Sequence, residues 1–259
     1  MFSKVRAADQ VQIMKTMIVI PARLASTRLP NKMLLAETGH PLIEHTYQAA
    51  SRSRLADRVL VAADDQKIVQ AVQAFGGNVR MTRVDHASGT DRLAEVAAEY
   101  LEYDLFVNVQ GDEPEIEGSL IDAAIELLQQ SPAADMSTVA VPIHDPQLLS
   151  DPACVKVVVA RNSTAIYFSR SQIPFPRNMT DVDLPDVYLQ HVGLYVYRRD
   201  FLLKFAQLPA SKLERVESLE QLRALENGHK IVVSIAKMAA KGIDTADDYR
   251  AFVRRQLNC

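Results

Sequence analysis

The 259-residue sequence predicts an α/β fold, with a mostly parallel central sheet and helices on both faces. Short apolar runs recur along the first 140 residues, amphipathic helical patterns separate them, and turn residues stand at the junctions. This alternation is typical of right-handed βαβ units. Because ligands bind outside the carboxyl ends of strands in such sheets, the loops 21–32, 83–92 and 110–114 are expected to face one crevice.

The first strand is predicted at Met17–Ile20, an apolar run that fits a strand covered on both faces, and Pro21 is expected to end its pairing. The loop that follows is rich in cations and hydroxyls: Arg23, Ser26, Thr27, Arg28 and Lys32. Such groups at the carboxyl end of a strand can cradle a polyphosphate. The alternative is a solvated basic loop.

The other elements of the first half follow in order. They are a helix from His40-Pro41 to Arg54, a strand at Arg58–Ala63, a helix from Asp64-Asp65 to Gly76-Gly77, a strand at Asn78–Thr82, a helix capped by Ser88 and running to Tyr100, a strand at Leu105–Val109, a helix at Glu117–Gln130 and a strand at Met136–Ile143. Each helix lies between two strands, as βαβ units require.

The second half is less regular. Strands are predicted at Cys154–Val159, Thr164–Phe168, Gln190–Tyr197 and Lys230–Ile235, with a loop over Ile173–Pro185, two helical stretches after the third strand and a closing helix at Thr245–Gln256. Residues 1–16 lack a clean period and are assigned to an N-terminal extension, either disordered or docked, and a single domain is predicted over 17–259.

Composition narrows the class of partner. A net charge of −3 and a pI near 6.1 argue against a nucleic-acid-binding protein. No apolar run approaches the roughly 18 residues of a membrane span, and the start lacks the pattern of a signal peptide. Two cysteines offer no disulfide framework. We therefore expect a cytoplasmic protein with small-molecule ligands.

Two aspartates could hold a metal ion. Asp112 directly follows a buried strand and a glycine, and opposite a phosphate loop it is a candidate Mg²⁺ ligand, with a surface turn acid as the alternative. Glu113 is expected to point elsewhere. Asp244 also follows a glycine closely, but it could equally be a helix N-cap.

Other polar residues could line the same crevice. Arg92 lies on the first turn of a helix, where it could hold a base or phosphate or simply pair with an acid one turn away. Gln110 could present an amide there. His191, Gly193 and Tyr195 share one face of a strand, which suits a hydroxyl-rich ligand, although a structural histidine fits as well.

If the helix with Glu220-Gln221 packs beside that strand, it adds a hydrogen-bond acceptor and an amide to the same site. The alternative is that these residues lie on a solvent-exposed face of the helix. No Ser/His/Asp order or Cys/His pairing stands out, so no covalent intermediate is expected.

Seven motifs in order resemble those of the 3-deoxy-manno-octulosonate (Kdo) cytidylyltransferases, or CMP-Kdo synthetases. The resemblance runs from Met17 to about Phe252. The motifs are PARLASTRLPNK, MTRVDHASGTDRLAE, VNVQGDEP, VKVV followed by IYFSRSQIP, QHVGLYVYRRDF, LERVESLEQLR and GIDTADD.

The resemblance implies a Rossmann-like fold of the nucleotide-diphospho-sugar transferase type. It also implies a homodimer that pairs through residues 150–200, and the Mg²⁺-assisted reaction of CTP with Kdo to CMP-Kdo and diphosphate in lipopolysaccharide biosynthesis. The implied nucleotide-binding residues are Pro21, Ala22, Arg23, Ser26, Arg28, Lys32, Ser88 and Arg92. The implied sugar-binding residues are Arg92, Gln110, His191, Tyr195, Glu220 and Gln221. The implied catalytic residues are Arg23, Lys32, Asp112 and Asp244, with both aspartates on the metal.

The sequence departs from the family pattern at Asn31, Gln190 and Ala246, where glycine, a basic residue and proline are common. The Gln190 departure leaves 8-amino-Kdo open as the acceptor, and sialic acid is a further alternative. A catalytically silent nucleotide-binding subunit is the alternative outside enzymes. A glycosyltransferase would need a DxD metal motif, whereas Asp112 precedes Glu-Pro.

Overall fold

The computed structural model describes residues 14–26, 28–178, 183–238 and 242–258. The strands are β1 Thr16–Ala22, β2 Arg58–Ala63, β3 Val79–Met81, β4 Leu105–Asn108, β5 Met136–Pro142, β6 Lys156–Val159, β7 Ala165–Ser169, β8 Leu189–Arg198 and β9 Ile231–Ile235. The helices are α1 Leu42–Ala50, α2 Gln66–Ala74, α3 Gly89–Glu99, α4 Gly118–Gln130, α5 Gln147–Ser150, α6 Leu184–Val187, α7 Arg199–Phe205, α8 Lys212–Glu217, α9 Gln221–Glu226 and α10 Ala246–Leu257, and a 3₁₀ turn spans Lys32–Leu34.

One sheet organises these elements. Its order is β3-β2-β1-β4-β8-β5-β9, and β6 joins β8 and carries β7 at its other edge. The pairs β1–β2, β1–β4, β2–β3 and β5–β9 are parallel, whereas β8 runs antiparallel to β4, β5 and β6. The predicted mostly parallel sheet is therefore confirmed, with one antiparallel strand at its centre.

Helices cover both faces of the sheet, as predicted. On one face, Ile18, Val107 and Val196 pack with residues of α1, α2 and α4. On the other face, Val19 and Phe106 pack with residues of α3, α7 and α9. A strand buried on both faces carries apolar residues at every position, which is the pattern seen in β1.

The prediction that Pro21 ends the pairing of the first strand is wrong. Pro21 pairs with Ala62 and the strand continues to Ala22. Past Val19 the strand pairs with β2 alone, and a missing N–H is tolerated where pairing is one-sided. At the other end β1 begins at Thr16, which is fully buried, so the sheet starts within the predicted extension. Residues 1–13 of that extension lie outside the described part of the chain.

The second half differs from prediction in its helices. Two were predicted after β8, and the chain instead forms α7, α8 and α9. The short helices α5 and α6 were not predicted, and Pro185 lies at the start of α6, where its fixed φ is favourable. Within the described residues, no helix is long and apolar enough to cross a membrane.

A register shift interrupts the pairing of β8 with β5. Thr138 pairs with Tyr195, but the next residue, Val139, pairs with Val192. Gly193 and Leu194 therefore lie in a bulge of β8, at the end of the sheet where the crevice loops meet. Bulges commonly redirect side chains near functional sites.

Candidate active site

Lys32 joins the cationic loop to both predicted metal-binding aspartates. Its ammonium donates to Asp112 Oδ2 at 2.5 Å and to the Ile243 carbonyl at 2.7 Å, and it lies 4.0 Å from Asp244 Oδ1. The Lys32 side chain is only 9% exposed. The structure thus brings together three of the predicted catalytic residues, which are far apart in sequence.

Arg28 closes the outer side of this cluster. Its Nη2 lies 2.9 Å from Asp244 Oδ1, and both side chains are largely solvent-accessible. Asp244 is not the N-cap of α10, because Thr245 occupies that position and accepts from the Asp248 N–H. This removes the structural alternative that the sequence left open for Asp244.

Loop 21–32 contacts both of the other loops that were predicted to face the crevice. Arg23 donates from Nη2 to the His86 carbonyl at 2.9 Å, which ties loop 21–32 to loop 83–92. Gly111 lies so close to loop 21–32 that an added Cβ would stand 3.1 Å from the Pro21 carbonyl oxygen and 2.9 Å from the Met33 sulfur. A side chain there would push the Asp112 loop away from the cationic loop.

The other predicted nucleotide-binding residues are placed at this crevice by their elements. Pro21 and Ala22 are the last residues of β1, and Ser26 is half-buried in the cationic loop. Ser88 is the N-cap of α3 and forms a capping box with Asp91, as predicted. Their contacts with a nucleotide remain predictions.

Arg92 is fully buried beneath the crevice. Its Nη1 donates to the Thr82 hydroxyl and to the Arg83 carbonyl, and its Nη2 lies 3.5 Å from Asp64 Oδ2. Burial lowers the pKa of the guanidinium, and Nε and Nη2 lack hydrogen-bond partners among the described residues. The fully buried Arg92 guanidinium is not accessible for direct contact with a substrate in this structure, and its predicted role stays a prediction.

Asp64 is a site residue that sequence reasoning missed. The sequence predicted Asp64 only as part of a helix start, but Asp65 is the N-cap of α2. Asp64 instead accepts from the Leu24 N–H at 2.9 Å with one oxygen and faces Arg92 with the other. It therefore holds the cationic loop against Arg92. The only sequence signal for this role is that Asp64 directly follows a strand, β2.

The predicted sugar-binding residues of β8 lie on the other side of the Asp112 loop. The rings of His191 and Tyr195 have centroids 5.3 Å apart, and a Cβ at Gly193 would stand 4.0 Å from Gln110 Cγ. Burial lowers the pKa of His191 to about 3, so its imidazole is neutral. His191 and Tyr195 therefore do share one face of β8, as predicted. That face is also part of the hydrophobic core, because Tyr195 and Tyr197 pack with the residues of α3, α7 and α9.

Glu113 does not simply point away from the site. Its Oε1 lies 3.9 Å from the Cβ position of Gly193, which places the carboxyl between the Asp112 loop and β8. Burial, followed by the neighbouring Asp112 carboxylate, raises the pKa of Glu113 to about 8. Glu113 is accordingly a neutral hydrogen-bonding group at pH 7.

Glu220 and Gln221 do abut this region. Glu220 Oε2 accepts from the Thr90 hydroxyl at 2.5 Å, and burial raises the pKa of Glu220. Gln221 is 4% exposed, and its Nε2 has no hydrogen-bond partner among the described residues. An unpaired buried amide donor is costly, and a bound ligand can supply the missing acceptor.

Hydrogen bonds that were not predicted fix the position of the turn before Glu220. Glu217 accepts from the Ser169 hydroxyl at 2.6 Å and from the Arg170 N–H at 3.0 Å. Lys156, fully buried, donates to the carbonyls of Asp151, Cys154 and Arg170. The β6–β7 hairpin is thus tied to α8, the helix that precedes Glu220.

The described residues contain no group of three or more His, Cys, Asp or Glu side chains that could hold a metal ion. Asp112 and Asp244 do face a common cation, the Lys32 ammonium. Two carboxylates suit Mg²⁺, which usually takes one or two from the protein and completes its shell with phosphate oxygens and water.

The chain is similar to proteins of known family. The cytidylyltransferase family model matches residues 17–231. The 3-deoxy-manno-octulosonate cytidylyltransferase of Rhodopirellula baltica is 51% identical over 246 residues, covering 93% of this chain and 98% of that protein. The enzyme of the same name from Geobacter sulfurreducens is 48% identical over 238 residues, covering 89% of this chain and 94% of that protein.

Solved structures agree with these relatives. The structure of a CMP:2-keto-3-deoxy-manno-octonic acid synthetase complexed with CTP matches with a TM-score of 0.89 and 43% identity, covering 94% of this chain and 99% of that one. A 4-diphosphocytidyl-2C-methyl-D-erythritol synthase from Anaerococcus prevotii shares the fold alone, at a TM-score of 0.63 and 15% identity. The chain therefore belongs to the 3-deoxy-manno-octulosonate cytidylyltransferase family.

Proposed function

We propose that this protein transfers the cytidylyl group of CTP to Kdo and releases diphosphate. The observation that carries the proposal is the cluster of Lys32, Arg28, Asp112 and Asp244, in which two cations and two carboxylates from distant segments meet at the crevice. A polyphosphate needs the cations, and its divalent counter-ion needs the carboxylates. The relatives and the CTP-bound structure support CTP and Kdo as the substrates.

In the proposed reaction the anomeric hydroxyl of Kdo attacks the α-phosphorus of CTP. A new P–O bond forms to the sugar while the bond to the bridging oxygen breaks, diphosphate leaves, and the hydroxyl proton is lost to solvent. The protein's task is positioning and charge neutralisation. Lys32, Arg28 and Arg23 would stabilise the negative charge that develops on the departing diphosphate.

Asp112 and Asp244 would hold Mg²⁺. The ion would supply electrostatic stabilisation of the phosphate charge when bound. For the carboxylates to take it, Lys32 and Arg28 must turn from the carboxylates to the phosphates of CTP. Arg28 is exposed and can do so freely, whereas Lys32 is buried and must give up its contacts with Asp112 and the Ile243 carbonyl.

The sugar half of the pocket would be formed by Gln110, His191, Tyr195 and Glu220. A neutral imidazole, an amide, a phenol and a carboxyl group suit the hydroxyls of a polyhydroxylated acid. The unpaired amide donor of Gln221 can meet an oxygen of the sugar. Recognition of Kdo rather than 8-amino-Kdo remains part of the proposal, since Gln190 replaces the common basic residue.

The test is diphosphate release with each of the four nucleoside triphosphates against Kdo, 8-amino-Kdo and N-acetylneuraminic acid, with and without MgCl₂. We expect release only with CTP, Kdo and Mg²⁺ together. Release with 8-amino-Kdo or the sialic acid instead would correct the acceptor. No release from any pair, with CTP binding retained, would favour the silent nucleotide-binding subunit.

We further propose a homodimer that pairs through residues 150–200, within the cytoplasmic stage of lipopolysaccharide biosynthesis. The β6–β7 hairpin falls in this segment and exposes Ile166, while Phe175 beyond it is 86% exposed. A second copy of the chain packed against this segment would remove both apolar side chains from water. Light scattering coupled to size exclusion should give twice the 28.8 kDa chain mass, and Ile166→Lys with Phe175→Lys should give the monomer.

A further inference from the structure

Thr138 is a fully buried hydroxyl next to the bulge of β8. Its Oγ1 lies 2.7 Å from the Leu194 carbonyl oxygen, 3.2 Å from the Val192 carbonyl oxygen and 2.9 Å from His191 Nε2. Thr138 is the residue at which the pairing of β5 with β8 shifts register. Its hydroxyl therefore meets the backbone of the bulge and the histidine of the proposed sugar pocket at once.

The hydrogen-bond roles at this hydroxyl are set by counting protons. A threonine hydroxyl has a single proton to donate. The Leu194 and Val192 carbonyl oxygens can only accept, and the shortest of the three contacts, 2.7 Å to the Leu194 carbonyl oxygen, takes the single hydroxyl proton. The contact with His191 Nε2 can then be a hydrogen bond only if the imidazole donates and the hydroxyl oxygen accepts.

We infer that Thr138 is a positioning residue that fixes the His191 imidazole in the Nε2–H tautomer, leaving Nδ1 as an acceptor for a hydroxyl group of the sugar acid. The ring is held in place on two sides. Phe168 packs edge-on against it at 5.1 Å, and Tyr195 lies at 5.3 Å. With Nε2 engaged, Nδ1 is the ring nitrogen that remains for a ligand.

The inference rests on the proposed function for the identity of the ligand, but the tautomer does not depend on it. A hydroxyl is the matching partner for an unprotonated imidazole nitrogen, because it can donate where a carboxylate cannot. His191 would therefore select sugar hydroxyls rather than the acid group. The carboxylate of the sugar would need another partner.

Two substitutions of Thr138 separate the effect of the hydroxyl group from the effect of the side-chain shape. T138V keeps the branched side chain and removes the hydroxyl, whereas T138S keeps the hydroxyl and removes the methyl group. In protein labelled with ¹⁵N at histidine, we expect wild type and T138S to show His191 protonated at Nε2 and unprotonated at Nδ1. We expect the Nε2 proton to exchange with solvent at least about tenfold faster in T138V, since its acceptor is gone.

Two substitutions of His191 test which nitrogen meets the sugar. An asparagine in place of His191 can put its side-chain oxygen near the position of Nδ1. A glutamine there can instead put its side-chain amide near the position of Nε2. We expect H191N to keep a KM for Kdo at least about fivefold lower than that of H191Q. T138V should raise the KM for Kdo about tenfold and leave the KM for CTP within about twofold, with T138S close to wild type in both.

A wild-type His191 protonated at Nδ1 would overturn the inference outright. So would a T138V protein with the expected loss of proton protection but an unchanged KM for Kdo, because Thr138 would then be structural only. Absence of turnover with Kdo in the wild type would refute the proposed function instead. The tautomer measurement would still report on Thr138 in that case, since it needs no substrate.

Discussion

The ammonium of Lys32 lies 2.5 Å from Asp112 Oδ2, and a carbonyl oxygen of the Asp244 segment, from Ile243, completes its contacts at 2.7 Å. A cation thus stands where two carboxylates converge. In the free protein Lys32 neutralises the same acids that are proposed to hold Mg²⁺. In the proposed mechanism Lys32 would therefore have two functions, one before the nucleotide binds and one after.

Replacing Lys32 should abolish most of the activity. We expect K32M to lower kcat at least about 100-fold at saturating CTP and Mg²⁺, because a buried cation aimed at developing phosphate charge is lost. Steady-state diphosphate release measures this. K67M, at an exposed lysine of α2, is the control and should match wild type. Near wild-type turnover of K32M would show that Lys32 is not catalytic.

The same substitution should have the opposite effect on binding of the metal alone. Without the ammonium beside Asp112, a divalent cation no longer competes with a resident positive charge. We expect K32M to bind Mn²⁺, used as a spectroscopic substitute for Mg²⁺, about tenfold more tightly than wild type in the absence of CTP. Titration followed by electron paramagnetic resonance measures free Mn²⁺. Equal or weaker binding would place the metal away from Asp112.

Arg28 should matter for the nucleotide and not for the fold. Its pair with Asp244 is exposed, and exposed ion pairs contribute about 0–1 kcal/mol. We expect R28M to change the free energy of unfolding in urea by less than about 0.5 kcal/mol and to raise the KM for CTP at least about tenfold. If instead R28M unfolded readily with its KM for CTP unchanged, Arg28 would be a structural residue.

His191 should make the protein less stable in mild acid. Its pKa in the fold, about 3, lies below the ordinary value of 6.5. Below pH 6.5 the unfolded chain therefore binds a proton at His191, whereas the folded chain does not bind it until the pH approaches 3. The free energy of unfolding consequently decreases as pH falls from 6.5 towards 3. Between pH 7 and pH 5 we expect wild type to lose up to about 2 kcal/mol more unfolding free energy than H191N. Urea denaturation at both pH values measures the difference, and equal losses would contradict it.

The partly buried hydrogen bond between Ser169 and Glu217 should couple the two residues in stability. We expect E217A and S169A each to lower the free energy of unfolding by about 1–2 kcal/mol, and the double mutant to show a coupling of about 1 kcal/mol, because each single substitution removes the hydrogen bond between the Ser169 hydroxyl and the Glu217 carboxylate. The exposed pair Ser119–Glu117 offers a matched control, at 3.0 Å between Oγ and Oε2. The cycle of S119A and E117A should give a coupling below about 0.3 kcal/mol. Equal coupling in the two cycles would mean that burial adds nothing.

Local pattern was sufficient for the first half of the fold and for the phosphate side of the site. The apolar run of β1 and the acid after β4 can be read directly, because a parallel sheet places successive strand ends at one edge. The contact of Lys32 with Asp112 follows from that rule, whereas Asp244, nine residues after the end of β9, was assigned from the family resemblance. The rule also predicted the contact of the Arg23 loop with loop 83–92.

The sugar side depends on relationships that periodicity does not encode. Nothing local to Leu189–Arg198 shows that this strand enters between β4 and β5, or that its pairing shifts at Thr138. The burial of Arg92 likewise depends on tertiary packing, which brings Asp64 and Thr82 to its guanidinium. Asp64 was misread for the same reason: its partner Leu24 is 40 residues away.

The position of β8 also has a consequence for how the protein is made. The sheet order places β8 between β4 and β5, although both are complete by residue 142 and β8 ends only at Arg198. During synthesis the edges of β4 and β5 that pair with β8 therefore stay unpaired until some 50 more residues have been made. Unpaired strand edges are prone to aggregation. A chain truncated before β8 would keep the cationic loop and Asp112, yet nothing would join β4, β5 and the β6–β7 hairpin into one sheet. The cationic loop and Asp112 thus depend for their solubility on the strand that carries the proposed sugar-binding residues.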